Sequence, residues 1–181
     1  ATTAAAKQDA PAATTAAAAA PSGDAAKLTM GTGGTTGTYY AFGGVIANVI
    51  NGKDVGININ VQSTGASKAN IYLVNDGAAD LAIVQNDVMD YGYKGTDLFA
   101  EEGAADQFNT VAALYAEVCQ VVATKDITSI EDLKGKRVSV GDAGSGVEFN
   151  ARQILEAYDI TFEDIDVNNL GFGDSSDAQM R

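Results

Sequence analysis

The sequence predicts an α/β fold with parallel strands, and three observations indicate this class. Short strand-like apolar segments alternate along the chain with segments whose apolar residues recur at helical spacing. Two of the predicted strands run directly into glycine-rich loops, and a predicted helix follows each loop. Hydrophobic residues make up 46% of the 181 residues, which is ample for a buried core. Because helices separate successive strands, the strands are expected to pair in parallel.

The first 26 residues consist mainly of Ala and Thr and contain both prolines of the chain, Pro11 and Pro21. The longest alanine run covers residues 16–20, which is shorter than the roughly 12 residues that an isolated helix needs in water. We interpret residues 1–26 as a flexible tether, with a short docked helix as the alternative. Such a spacer commonly holds a domain away from a surface, so attachment to a membrane or a cell wall is a hypothesis from this segment.

Residues 27–125 are expected to form a first α/β unit in which a helix follows each strand. Tyr39, Phe42 and Ile46 recur at helical spacing, and Gly52 ends that helix. The predicted strands cover residues 28–30, 57–61 and 81–85, and the predicted helices lie around residues 39–50, 71–74 and 87–91.

Residues 126–181 are expected to start a second unit with the same alternation. Ser129 and Asp132 have the spacing of a capping box at one short helix. Ser175 or Ser176 is typical of a helix start, but no apolar periodicity completes that helix, so we expect the chain to be the front part of a longer protein. The other predicted elements are strands over residues 137–140 and 165–170 and a helix over residues 147–158.

The composition argues against several classes of function. The formal charge of -13 repels nucleic acid phosphates and anionic lipid surfaces, so no nucleic acid partner is expected. The absence of histidine removes the commonest general base near neutral pH and the commonest transition-metal ligand, so we predict no catalytic centre, metal or cofactor. The single cysteine, Cys119, lies in an apolar run and is expected to be a small buried hydrophobic residue.

The candidate site lies at the carboxyl ends of the predicted strands, where loops and helix N-termini meet in an open parallel sheet. Glycine lets backbone N–H groups approach a ligand closely, and a helix N-terminus offers unpaired donors and about half a positive charge. Loops that combine these features with hydroxyl or amide side chains suit a carboxylate or another small anion. The four loops expected there cover residues 31–38, 63–67, 85–87 and 141–148.

The first of these loops does not match a nucleotide-binding motif. The glycines of "GTGGTTG" are spaced one residue too far apart for the dinucleotide fingerprint, and no Gly-Lys-Ser or Gly-Lys-Thr occurs in the chain. The alternative to ligand contact is a tight strand-to-helix turn capped by Thr38. For the last loop, the alternative is a capping box of Ser145 and Glu148 that needs no ligand.

Further side chains are candidates for the wall or rim of the site. Gln85 ends a short strand, so its amide is expected either at the same rim or at a solvent-facing strand end. Tyr39, Tyr40 and Tyr115 are candidates for pocket walls, although the helical spacing of Tyr39 is also typical of a core residue. Lys68 either directs positive charge toward an anion or lies solvated on the surface.

Several motifs occur in an order and spacing that resemble a known family. They are "GTGGTTGTYYAFGG", "LAIVQNDV", "ALYAEVCQVVAT", "SIEDLKGKRVSVGDAGSGVEFNARQILE" and "LGFGDSSDAQM". As a set they resemble the TAXI family of extracytoplasmic solute receptors, which serve tripartite ATP-independent periplasmic (TRAP) transporters. The resemblance covers residues 28–180, nearly everything except the tether.

The resemblance implies a type II periplasmic-binding-protein fold, in which two α/β lobes joined by a hinge close on a small solute. Lobe one is then residues 27–125, ending in a hinge strand at residues 118–125, and residues 126–181 are the start of an incomplete second lobe. The implied ligand-binding residues are Thr32, Gly33, Thr35, Thr38, Tyr39, Gln85, Gly144, Ser145, Gly146 and Val147.

The chain departs from the pattern of that family at a few positions. The family usually has glycine in place of Thr36 and proline in place of Ala41 and Ala116. It usually has threonine in place of Val147, so one hydroxyl is lost beside the second glycine-rich loop. That loss bears on the identity of the ligand more than on the fold.

The function implied by the resemblance is an extracytoplasmic receptor that delivers a small carboxylate to the membrane subunits of a TRAP transporter. The carboxylate class includes acidic amino acids and related organic acids. No enzymatic activity is expected, and the N-terminal segment is a candidate tether to the membrane or the cell wall, with a lipid anchor as one form. The alternatives are a surface antigen or assembly protein with a vestigial cleft, and an enzyme built on the same two-lobed fold.

Overall fold

The computed structural model describes residues 25–180, and these residues form two parallel sheets flanked by helices. The predicted tether, residues 1–26, lies outside the described residues except for its last two, and Ala26 is the first residue of a strand. The elements in chain order are β1 (Ala26–Gly31), α1 (Thr38–Asn51), β2 (Ile57–Gln62), α2 (Ser67–Asn75), β3 (Leu81–Ala82), α3 (Asn86–Lys94), β4 (Arg137–Ser139), α4 (Gly146–Glu156), β5 (Asp166–Asn168) and α5 (Phe172–Gln179).

The first sheet has the strand order β2-β1-β3, and both pairings are parallel. Gly31 at the end of β1 pairs with Gln62 of β2 and with Ala82 of β3. The carboxyl ends of the three strands therefore meet at one edge, as parallel pairing of strands joined by helices requires. The predicted α/β class with parallel strands is confirmed, and the loops after β1, β2 and β3 all start at this edge.

The core of the first sheet forms between its strands and α1. Met30, Ala47, Ile59 and Ile83 are buried there, and each large apolar side chain contributes about 1.5–3 kcal/mol by leaving water. Gly43 lets α1 approach the sheet, because a Cβ at this position would lie 2.8 Å from Cγ2 of Thr32. The close approach packs α1 against Thr32, the residue that follows β1.

The second sheet consists of β4 and β5, which pair in parallel, and α4 covers its core. The buried residues of this core are Leu133, Val140, Leu155, Ile160 and Ile165. The predicted repetition of strand, glycine-rich loop and helix is therefore present at β4 and α4.

The two sheets are connected through a third apolar cluster in addition to the chain itself. Phe149 of α4 is 2% exposed and packs with Ile71, Val88 and Phe99, which come from the helices and turn around the first sheet. The rings of Phe149 and Tyr91 lie 5.0 Å apart between centroids. An apolar side chain of the second unit is thus part of the core of the first unit.

The segment that joins the two units differs from the prediction. Residues 108–124 contain neither helix nor strand, and residues 109–124 are exposed. The expected hinge strand at residues 118–125 is therefore not formed, because no strand within residues 25–180 pairs with these apolar runs. The prediction that Cys119 is buried is wrong for the same reason, since this thiol lies in the exposed segment.

Some element boundaries also differ from those predicted. The last helix starts at Phe172, after the N-cap residue Gly171, and not at Ser175 or Ser176. Thr38 is the first residue of α1 and does not cap it, because Gly37 is the N-cap. None of the helices within residues 25–180 is long and apolar enough to cross a membrane.

Candidate functional site

The loop after β1 is held from below by buried polar residues. The Thr32 side chain is fully buried, and its hydroxyl donates to the Gln62 carbonyl at 2.7 Å. The Thr32 N–H donates to the same carbonyl oxygen at 3.0 Å. Thr32 therefore fixes the loop to β2 and does not present its side chain to the cleft. Its hydroxyl is therefore already engaged by the protein itself.

Asn70 is a residue of this site that the sequence analysis did not identify. It is fully buried, and its Nδ2 donates to the carbonyl oxygens of Thr32 and Ile83. Its Oδ1 accepts a hydrogen bond of 2.6 Å from the Thr64 hydroxyl. One amide thus ties together the ends of all three strands of the first sheet. The sequence signal that could have identified it is a polar residue within the apolar stripe of α2.

The threonines of the first loop other than Thr32 are exposed, and α1, the helix that follows the loop, has no side-chain cap. Thr35, Thr36 and Thr38 are exposed, and Gly37 as N-cap offers no side-chain acceptor to the first turn of α1. The first N–H groups of a helix have no partner within the helix. Backbone donors and hydroxyl groups therefore lie together at the carboxyl edge of the first sheet.

Tyr39, at the start of α1, contacts the joining segment. Its hydroxyl donates to Oε2 of Glu117 at 3.1 Å. Burial raises the pKa of the Tyr39 phenol well above its ordinary value, and the Glu117 carboxylate adds to the rise. The phenol is therefore a protonated donor at neutral pH. One turn further along, Phe42 packs edge-on against Tyr115 with a centroid distance of 5.3 Å.

The second glycine-rich loop is internally capped. Ser145 is the N-cap of α4, and its hydroxyl oxygen accepts from the Glu148 N–H at 3.2 Å. The Glu148 carboxylate accepts from the Gly144 N–H at 2.7 Å, and not from the N–H of Ser145 as a regular capping box would. Its other oxygen accepts from Nδ2 of Asn169 at 2.9 Å. The capping alternative thus accounts for both Ser145 and Glu148.

The Gln85 side chain joins the two units through a hydrogen bond and does not lie at a solvent-facing strand end. Its Nε2 donates to Oδ1 of Asn150 in α4 at 2.8 Å, while its backbone N–H donates to the Ser67 hydroxyl at 3.0 Å. Gly146 is the residue that makes room for the Gln85 side chain, because a Cβ at position 146 would overlap it. The sequence predicted Gln85 either at the rim of the site or at a solvent-facing strand end, and no residue near it in the chain indicates its partner Asn150.

The loops of the two units contact each other in two places. Across from Gly34 lies the Asp142 carboxylate, whose Oδ2 is 4.0 Å from the position of a Cβ on that glycine. The Gly173 N–H at the start of α5 donates to the Thr36 hydroxyl at 3.2 Å. Residues 144–146 instead oppose Gln85 and Lys68, whose N–H donates to the Gly144 carbonyl at 3.2 Å.

Charges near the cleft are mainly negative. Lys68 pairs with Glu102 at 2.9 Å, and its ammonium lies 5.5 Å from the centre of the Phe99 ring. The hydrogen bond from Lys68 holds the pKa of the exposed Glu102 carboxyl below its ordinary value. Val147 is 38% exposed and adds no polar group to the second loop. The charge of Lys68 is therefore largely neutralised by its partner before it acts on a ligand.

Comparisons with known proteins relate most of the chain to one family. The model of the NMT1-like family matches residues 30–181. Among solved structures, the alkanesulfonate-binding protein SsuA from Xanthomonas axonopodis pv. citri, bound to MOPS, is similar with a TM-score of 0.48 and 17% sequence identity. The match covers 87% of this chain and 52% of that chain, so the chain spans about half the length of that structure.

Proposed function

The chain belongs to the NMT1-like family, and from this premise we propose that it is an extracytoplasmic solute-binding receptor for a small carboxylate. This family comprises periplasmic binding proteins, which supports both the receptor role and a location outside the cytoplasm. The ligand class, and delivery to the membrane subunits of a TRAP transporter, are the finer parts of the proposal. They rest on the motifs that resemble the TAXI family.

One observation carries the ligand site: two helices without side-chain caps begin on opposite sides of the same cleft. The N-caps of α1 and α5 are Gly37 and Gly171, and neither helix has a side-chain cap. The two N-termini are close, because a Cβ at Gly37 would lie 3.5 Å from the Phe172 ring. The Gly173 N–H of α5 already donates to the Thr36 hydroxyl, so the first-turn N–H groups of α1 are the donors left to a ligand. The dipoles of both helices add to them, which favours an anion.

In the proposed site, the ligand carboxylate lies against the first turn of α1. Gly33 allows close approach of the backbone, and Thr35, Thr38 and Tyr39 surround the helix start. Gln85 and residues 144–147 line the other side and fix α4 relative to the first sheet. These positions are the proposed ligand contacts. Thr32 supports them indirectly, because it fixes the first loop to β2.

Binding is coupled to lobe closure in this proposal. Closure brings the Gly173 N–H to the Thr36 hydroxyl and the Lys68 N–H to the Gly144 carbonyl. A ligand that touches both loops stabilises the arrangement in which these bonds are made, because it binds that state more tightly. A transporter subunit that recognises the closed form would then receive only loaded receptor.

Isothermal titration calorimetry of the purified protein tests the ligand class. L-glutamate, L-glutamine, glutarate and succinate are titrated separately, with a neutral sugar such as glucose as the control solute. Saturable heat with at least one of the acids and none with glucose supports the proposal. Absence of heat with all four acids overturns the carboxylate assignment.

A further inference from the structure

Asp142 is a carboxylate aimed into the cleft that the site described so far leaves unused. It follows Gly141, whose φ of +93° turns the chain at the end of β4. Its oxygens lie 4.0 Å from the Cβ position of Gly34 and 3.3 Å from that of Gly171. Among residues 25–180, neither a hydrogen bond to this carboxylate nor an ion pair with it is formed. An acidic group thus lies between the loop that precedes α1 and the N-cap of α5, without a side-chain partner among residues 25–180.

The charges around Asp142 do not compensate it. Glu148, in the first turn of the helix that follows the same loop, carries a second negative charge, and its oxygens accept from Gly144 and Asn169. Lys68, which lies against Gly144 from the other unit, is already paired with Glu102. A ligand that carries only negative charge would therefore meet repulsion at this side of the cleft. A ligand with a positive group would find an acceptor there.

We infer that Asp142 determines specificity by pairing with a cationic ammonium group of the ligand, so that the receptor selects a zwitterionic amino acid over a simple organic acid. The inference rests on the proposed function, which supplies the carboxylate end of the ligand. In an α-amino acid the ammonium and carboxylate groups are carried by the same carbon. This matches a cleft in which a helix start and an acidic side chain face each other. A charge-assisted hydrogen bond between ammonium and carboxylate is among the strong ones in proteins.

The competing role for Asp142 is that of an internal anion. In that role its carboxylate itself compensates the positive ends of the α1 and α5 dipoles. The two roles differ in what an amide at this position does. If Asp142 binds an ammonium group, Asp142→Asn weakens binding of amino acids and spares acids without an amino group. If Asp142 is an internal anion, the same substitution strengthens binding of every carboxylate.

The test compares L-glutamate with glutarate, which lacks only the amino group, by calorimetry on the wild type and on Asp142→Asn. Asp54→Asn is the matched control, because Asp54 is exposed beyond the C-terminal end of α1. We expect wild type and Asp54→Asn to bind L-glutamate about tenfold or more tightly than glutarate. In Asp142→Asn we expect the preference to disappear through loss of glutamate affinity. Circular dichroism confirms that each variant is folded.

The other outcomes each overturn the inference in a recognisable way. Equal binding of both acids by the wild type, unchanged in Asp142→Asn, removes the role of Asp142 and leaves the proposed function standing. Tighter binding of both acids by Asp142→Asn assigns the carboxylate as an internal anion. Binding of neither acid by any variant refutes the carboxylate receptor itself, and the inference with it.

Discussion

Gln85 and Asn150 join the two units through paired amide hydrogen bonds. Nε2 of Gln85 donates to Oδ1 of Asn150 at 2.8 Å, and Nδ2 of Asn150 donates to Oε1 of Gln85 at 3.4 Å. Both side chains are half-buried. Because each amide satisfies the other, removal of one leaves polar atoms of the other without a partner. The pair is therefore a specific contact between the N-cap residue of α3 and α4.

This pairing predicts that substitutions at the two positions are not additive. We expect Gln85→Ala and Asn150→Ala each to lower the free energy of unfolding by about 1–3 kcal/mol, with a coupling energy of about 0.5–1.5 kcal/mol in the double variant. Urea denaturation followed by circular dichroism measures all three. Gln153→Ala, on the exposed face of α4, is the control. Additive effects of the two substitutions would contradict the pairing.

Removal of the Phe149 ring is expected to lower the free energy of unfolding more than removal of any polar contact between the units. Its ring is 2% exposed and lies within the cluster of Ile71, Val88 and Phe99. Phe149→Ala is expected to cost about 3–5 kcal/mol, because it removes apolar contacts and leaves a cavity. Val147→Ala, at a position 38% exposed in the same helix, is the control and is expected to cost less than about 1 kcal/mol. Denaturant midpoints measure both.

A similar loss for the Phe149 and Val147 variants would mean that α4 does not dock on the first unit. Hydrogen exchange gives an independent readout in the folded protein. If the cluster is common to both units, Phe149→Ala speeds exchange in α2 and α3 as well as in α4.

Substitution of Asn70 by alanine is expected to lower the stability by more than the size of the side chain alone explains. Its amide serves the carbonyls of Thr32 and Ile83 and accepts from Thr64. Asn70→Ala leaves these buried groups without hydrogen-bond partners. We expect the free energy of unfolding, measured by heat or urea, to fall by about 2–4 kcal/mol. Asn75→Ala, at the end of the same helix, is the control. Equal losses for the two variants would show that the buried amide does not organise the strand ends.

The elements that the sequence predicted are those defined by local patterns. The helix around Tyr39 and Ile46 and its end at Gly52 follow from apolar spacing and a terminating glycine, and the structure has α1 at Thr38–Asn51. The three-stranded parallel sheet follows in the same way from alternation of strands and helices. These features depend on residues close together in the chain.

The parts that could not be predicted depend on residues far apart in the chain. Nothing near Gln85 indicates that Asn150 lies opposite, and the apolar stripe of α4 does not reveal that Phe149 packs on another unit. The predicted hinge strand at residues 118–125 is not formed for a related reason. An apolar run becomes a strand only where a neighbouring strand pairs with it. The exposure of Cys119 follows from that missing neighbour.

The Tyr39 phenol predicts a decline of stability in alkali. Burial is the main cause of its raised pKa, followed by the charge of Glu117. The unfolded chain releases the tyrosine proton near pH 10, whereas the folded protein retains it to higher pH. Above that pH the folded state binds more protons than the unfolded state, so the free energy of unfolding falls as pH rises.

Urea midpoints between neutral pH and pH of about 11 measure this decline. Tyr39→Phe is expected to flatten the alkaline part of the curve. At neutral pH the same variant loses about 0.5–1.5 kcal/mol with the hydrogen bond to Glu117. Tyr93→Phe is the control, because Tyr93 is 56% exposed. Parallel curves for wild type and Tyr39→Phe would contradict the buried, protonated phenol.

Gly37 offers the most direct test of the start of α1 as the anion site. Its φ of −90° and ψ of 160° are open to any residue, and aspartate is among the best N-cap residues. In Gly37→Asp the carboxylate is expected to accept the N–H groups of the first turn and so to occupy the place of the ligand. Calorimetry is expected to show loss of carboxylate binding by about a hundredfold, since a competing charge replaces a bound one.

Gly37→Ala separates this effect from crowding, because both variants introduce the same Cβ. That atom would lie 3.2 Å from the Gly34 carbonyl oxygen and 3.5 Å from the Phe172 ring, so each variant requires the same small shift of the loop. We expect Gly37→Ala to retain most of its affinity, and Gly37→Asp to unfold at the same or a higher temperature because its helix is capped. Equal affinities of the two variants would exclude the first turn of α1 as the place where the ligand carboxylate binds.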